Sequence, residues 1–167
     1  RYTRRHMQKV KIIPPPVVLP TISADEKAAF HADHNPKDQR PVIGMAARLA
    51  TEKGVEVLLK ALPEVLKKFP QALVQFVGPY QNIIGEEQYF KHLEPELKKY
   101  EASGNWQFLG SMSPAQMSAF YANLDLLVVP SLNSTEAFGL VQIEAMMNGV
   151  RCITSNLPGV RQPVKIH

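Results

Sequence analysis

Five short apolar runs, each separated from the next by a stretch with helical spacing, restrict the fold of this 167-residue sequence more than any other feature. The runs are PVIGMAA (41–47), ALVQFVG (72–78), NWQFLG (105–110), LDLLVVP (124–130) and VRCITS (150–155). Near-continuous apolar runs of this length are the pattern of strands covered on both faces. Between them, Gly54–Phe69 carries Val55, Leu58, Leu59, Leu62, Val65, Leu66 and Phe69 at helical spacing and stops at Pro70. Gly85–Tyr100 is read as a helix that Pro95 kinks or splits. Ser113-Pro114 opens a helix that runs to Asn123, with proline at the first helical position. Phe138–Asn148 is a helix closed by Gly149. Strand and helix in strict alternation predict an α/β fold, a Rossmann-like doubly wound parallel sheet. Upstream, KVKIIPPPVVLP (9–20) reads as a short strand leading into an extended turn. Ser23 and Glu26 have capping-box spacing for a helix over Ala24–Ala32, which Asn35-Pro36 ends. Residues 1–22 are therefore a lead-in, and 23–167 the folded unit.

Composition narrows the function classes. Hydrophobic residues make up 45% and charged residues 20%, ordinary for a globular chain. The net charge of +4 comes from residues 1–13, which hold five basic residues and no acid; the rest carries 14 basic and 15 acidic residues. A nucleic-acid partner is not expected, because the domain has no basic excess. The basic lead is read as a solvated approach, with peripheral contact to an anionic membrane as the sharper alternative. No apolar run reaches the length of a bilayer span, and RYTRRHMQKV lacks the apolar segment of a signal peptide. The single cysteine, Cys152, permits no internal disulfide and fits a reducing, cytoplasmic setting. A chain that starts at Arg1 and stops soon after a strand is expected to be a piece of a longer protein.

In such sheets ligands bind beyond the carboxyl ends of the strands, so the loops that follow the strands hold the candidates. Arg48 and Lys53 lie in one strand-to-helix loop beside a helix amino terminus, a pairing suited to a pyrophosphate. The bland alternative is a solvated loop in which Lys53 pairs with Glu52 and Arg48 caps a neighbouring helix. In STEAFGLVQIEAMMNGV (134–150), Gly139 lets a ligand approach the backbone, and the amides of Phe138, Gly139 and Leu140 offer an anion site. Glu136 can accept hydrogen bonds from hydroxyls. Glu144 stands two turns into the helix among apolar residues, where a carboxylate is costly without a partner; ribose hydroxyls are good partners. Taken singly, Glu136 is equally a partner of the helix dipole and Glu144 an exposed helix position. Taken together, a cationic loop, a glycine-opened helix and two hydroxyl-accepting carboxylates describe a pocket for a sugar linked to a nucleoside diphosphate. Neither G-x-G-x-x-G nor G-x-x-x-x-G-K-[ST] is present.

These residues resemble the retaining family 4 glycosyltransferases of the GT-B fold. EAFGLVQIE matches their E-x7-E motif, AARLATEKG (46–54) is similar to their GRxxxxKG motif, and FLGSMSPAQMSAFYANLDLLVVPS (108–131) resembles the segment between them. LPGVRQPV (157–164) resembles their Gly-Gly-x-Pro-Glu turn. The chain departs from the family in having Ala47 before the arginine, Gln162 in place of glutamate, and Pro158-Gly159 in place of two glycines. The resemblance runs in order from about residue 9 to 164. It implies the carboxyl-terminal, donor-binding half of a two-domain enzyme, carboxyl-terminally incomplete and inactive without the acceptor-binding half. Arg48, Lys53 and Glu136 would be the catalytic residues, with the cations on the departing diphosphate and Glu136 on donor sugar hydroxyls. Phe138, Gly139 and Leu140 would hold phosphate or sugar, Glu144 the ribose, and Gly110 and Ser111 the base. The partners implied are a UDP-, GDP- or ADP-sugar and a glycan, lipid or small-alcohol acceptor, with no metal and no other cofactor.

Two rival readings stand beside this one: a nucleotide-sugar epimerase of GT-B architecture, and a non-catalytic sugar-binding or interaction module. Trp106 and Cys152 are read as packing residues, Met146 and Met147 as core or cleft lining, and the scattered histidines as surface groups; an edge of the donor cleft is the sharper alternative for Tyr80.

Overall fold

The computed structural model describes residues 16–133 and 139–166. Five strands, β1 (Val42–Ala46), β2 (Leu73–Val77), β3 (Trp106–Gly110), β4 (Leu126–Val129) and β5 (Arg151–Thr154), form one sheet in the order β3-β2-β1-β4-β5. Every pairing is parallel. The helices are α1 (Ala24–His34), α2 (Val55–Lys68), α3 (Glu87–Ala102), α4 (Pro114–Ala122), α5 (Leu140–Met147) and α6 (Gln162–Ile166), with a 3-10 turn at Thr51–Lys53. The expected doubly wound α/β fold is the observed one. The strand read at the start of 9–20 lies outside the described residues.

Local chemistry explains the helix starts. At α1, the Ser23 hydroxyl accepts from the Glu26 amide and the Glu26 carboxylate accepts from the Ser23 amide. At α4, Ser113 and Gln116 make the same reciprocal pair, and Pro114 takes the first helical position. Each box satisfies amide donors that an open helix end leaves orphaned.

Two cores hold the layers. On one face, Leu58, Leu59 and Leu62 of α2 and Leu93 and Leu97 of α3 pack on Ile43, Met45, Val74 and Phe76 of the sheet. On the other, Phe30 of α1, Phe120 and Tyr121 of α4 and Ala145 of α5 pack with Val42, Leu127 and Val129. Burying each large apolar side chain contributes roughly 1.5–3 kcal/mol. The chain winds outward from β1 through β2 to β3, then crosses back to place β4 on the other side of β1. The point where the winding direction reverses, between β1 and β4, is where ligands bind in such sheets.

Three elements differ from expectation. α3 runs unbroken through Pro95, which is exposed, while Leu93 and Leu97 anchor the helix on either side. VRCITS is an edge strand rather than a fully buried one: Ile153 is 58% exposed. The 157–164 segment turns and then forms the short helix α6.

Candidate active site

The loop after β1 is tightly bound to its surroundings. Ala47 N–H donates to Val77 O and Leu49 N–H to Pro79 O, both 2.9 Å or shorter. Leu49 and Ala50 are fully buried. The 3-10 turn at Thr51–Lys53 follows, and its first residue is held by α3's leading segment: Thr51 N–H and Oγ1 donate to Glu86 Oε2 at 3.0 and 2.7 Å. Gly54 closes the turn at φ +71° and opens α2. A Cβ there would stand 2.0 Å from the Pro130 carbonyl oxygen, so only glycine fits this close approach. Leu132 N–H donates to Glu52 O at 2.9 Å. The loop carrying Arg48 and Lys53 is thus joined to the loop after β4 that leads to α5, directly over the β1–β4 switch point.

Arg48 is half-exposed, and its guanidinium donates to the Glu52 carboxylate. Burial pushes the Glu52 carboxyl up. Hydrogen bonds from its own amide and from Arg48, with the charges of Arg48 and Lys53, outweigh that and hold it below its ordinary range. Glu52 thus bonds Arg48, where the bland reading paired it with Lys53. Lys53 is half-buried at the end of the turn.

Glu136 and Phe138 lie outside the described residues. Gly139 caps α5 at φ +70°, and a Cβ there would meet the Gln142 amide nitrogen at 2.3 Å. Gln142 is fully buried and donates from Nε2 to Val160 O at 2.9 Å. It ties the start of α5 to the turn after β5. In that turn Gln162, standing where the resemblance expects glutamate, donates to Pro158 O at 2.9 Å. Leu140 is 38% exposed at the helix start. Glu144 is half-buried, and its Oε2 accepts a 2.6 Å hydrogen bond from Tyr121 Oη.

Gly110 ends β3, its carbonyl accepting from Gly78 N–H, and the exposed Ser111 follows. They lie at the same end of the sheet as Arg48, two strands from β1. At about 4.8 Å per strand this separation is about 10 Å, a span comparable with a nucleoside diphosphate. Tyr80 stacks on Phe108 with ring centroids 4.1 Å apart and, with Leu49, Ile83 and Phe90, lines a cleft beyond β1 and β2.

Trp106 is buried as expected, and Met147, at 57% exposed, is not a core residue. Burial raises the half-buried Cys152 thiol to about 11. Among the described residues, no group of three or more His, Cys, Asp or Glu is placed to hold a metal ion, and no helix is long and apolar enough to cross a membrane. Reading the sequence missed Glu86, Gln142 and Tyr121. Only Tyr121 left a trace: a buried tyrosine hydroxyl needs a partner, and Glu144 was the unpaired carboxylate in the neighbouring helix.

The five-stranded parallel sheet and its winding match the Rossmann-like domains of GT-B glycosyltransferases. The chain belongs to the group 1 glycosyl transferases, whose family model matches residues 26–166. It is 28% identical over 165 residues to the D-inositol 3-phosphate glycosyltransferase of Segniliparus rotundus, covering 96% of this chain and 34% of that protein. It is 29% identical over 130 residues to the phosphatidyl-myo-inositol mannosyltransferase of Mycolicibacterium smegmatis, covering 78% and 31%. Among solved structures, Anabaena HepE in complex with UDP and glucose superposes with a TM-score of 0.69 at 26% identity, over 83% of this chain and 35% of HepE. The chain thus spans about a third of the length of the curated relatives it matches.

Proposed function

We propose that this chain is the donor-binding part of a retaining glycosyltransferase that moves a sugar from a nucleoside diphosphate sugar to an acceptor alcohol. The observation that carries the reading is the junction of two loops at the switch point: Gly54 against Pro130, and Leu132 N–H on Glu52 O. It brings the Arg48–Lys53 loop to the approach of α5. In this reading Arg48 and Lys53 hold the diphosphate and offset the charge that grows on it as the glycosidic bond breaks. Charge placed in advance where charge develops lowers the barrier without reorganisation, so these two cations do the work that a metal does in other transferases. Glu136 accepts from donor sugar hydroxyls. The amides of Phe138, Gly139 and Leu140 face phosphate or sugar, and Glu144 accepts from the ribose. The backbone at Gly110 and Ser111 meets the base. Acceptor recognition belongs to an amino-terminal domain that the relatives' greater length accommodates, and the chain alone binds donor without turnover.

UDP is the first nucleotide to test, because the 26% identical HepE was solved with UDP and glucose. The experiment is calorimetric titration with UDP, GDP and ADP, on wild type and on Glu144→Ala. One nucleotide is expected to bind, and Glu144→Ala to weaken it by about tenfold or more, the loss of hydrogen bonds to a charged group. A folded chain that binds none of the three at millimolar concentration overturns the proposal.

A further inference from the structure

The two helices beside the switch point are linked by one polar contact in an apolar interface. Tyr121, in the last turn of α4, is fully buried among Phe120, Leu127, Ala145 and Val150. Its hydroxyl donates to Glu144 Oε2 at 2.6 Å. α4 starts just beyond the carboxyl end of β3 and runs back along the sheet. Helical side chains lean toward their own amino terminus, so the Tyr121 ring leans from the lower end of α4 toward the ligand end of the sheet. The phenol therefore meets Glu144 from the buried side. An ionised carboxylate offers about four acceptor sites, and the phenol uses one of them.

We infer that Tyr121 is a positioning residue that holds the Glu144 carboxylate in place to receive ligand hydroxyls from the open side. This rests on the assignment of Glu144 to the ribose. A glutamate has three side-chain torsions, and ordering them costs binding energy unless they are already fixed. The Tyr121 hydrogen bond fixes them before the ligand arrives. Burial, and then the hydrogen bond and charge of Glu144, push the phenol far above its ordinary range, so it remains a donor at any working pH.

The test is a cycle between the phenol hydroxyl and the ligand 2′-hydroxyl. UDP and 2′-deoxy-UDP are titrated into wild type, Tyr121→Phe and Glu144→Asp. Wild type is expected to prefer UDP by about tenfold, and Tyr121→Phe to reduce that preference to about threefold or less. Each preference is a ratio measured on one protein, so a smaller folded fraction cancels from it. A purely structural tyrosine would lower stability and leave the ratio unchanged. Full preference retained in Tyr121→Phe therefore overturns the inference while the ribose assignment stands. Absence of any preference in wild type overturns the ribose assignment, and the inference with it. Should Tyr121→Phe fail to fold, Glu144→Asp decides: it keeps the phenol and draws the carboxylate back by one methylene. It is expected to lose the preference, and its retention overturns the inference.

Discussion

Arg48, proposed to hold the diphosphate, is already paired. Its guanidinium is half-exposed and bound to Glu52, whose carboxyl is held ionised below its ordinary range. On the proposed reading, a diphosphate entering the loop competes with that carboxylate for the same donors. Glu52→Gln removes the negative charge and keeps an amide oxygen for Arg48, so the guanidinium stays in place with its charge free. Exposed ion pairs of this kind are worth about 0.2–1 kcal/mol, so UDP affinity is expected to rise by up to about fivefold. Calorimetry at low and high salt checks this, and weaker binding by the variant would show that the Glu52 charge is needed in the site. Arg48, Lys53 and Glu144 were legible in the sequence as candidates, because charge in an apolar or glycine-rich setting stands out. Tyr121 and Gln142 were not. Both read as interior residues of apolar helices, and their roles come from partners 23 and 18 positions away, which no local pattern encodes.

Among the elements, the junction between the loop after β1 and the loop after β4 holds the parts of the candidate site together. Gly54→Ala imposes two costs there. The left-handed backbone costs an L-residue about 1–2 kcal/mol, and the new methyl group would stand 2.0 Å from Pro130 O, so one loop must move. The variant is expected to lose at least about 2 kcal/mol in urea unfolding and to bind UDP more weakly, because the loops that carry Arg48 and α5 part. Unchanged stability and affinity would mean that this contact does not set the site's geometry. Helical spacing placed α2, whose apolar stripe is buried, and the ends read from Ser23, Ser113-Pro114 and Gly149 placed α1, α4 and α5 within a few residues. Where local rules and burial conflicted, burial prevailed: Pro63 and Pro95 sit on exposed faces of α2 and α3, and the helices continue past both. The 3-10 turn at Thr51–Lys53 and the helix Gln162–Ile166 left no periodic signal, because neither is long enough to show one.

At the scale of the molecule, alternation of strand and helix specified a parallel sheet but not its strand order. The order follows from pairings between segments far apart in sequence, such as Ile43 with Leu126, and it is the order that locates the site. β1 pairs on one side with β2 and on the other with β4, so the Arg48 loop grows from the middle of the sheet. β3 and β5 are its edges. Hydrogen exchange of this chain is therefore expected to be slowest in Val42–Ala46 and Leu73–Val77 and faster in β5, whose outward residues Arg151 and Ile153 are exposed. UDP at 100 times its Kd adds about 2.7 kcal/mol to global stability, which slows amides that open only by global unfolding by about 100-fold. The local effect discriminates more sharply. Added protection is expected at 48–54, at 110–113 and over the first turns of α5, all of which lie beyond or beside the carboxyl ends of the strands. Segments at the opposite end, 103–105 and 123–125, should show only the global change. Protection confined to that opposite end would mean that the nucleotide binds elsewhere, and the assignment of the switch-point loops as the donor site would fall with it.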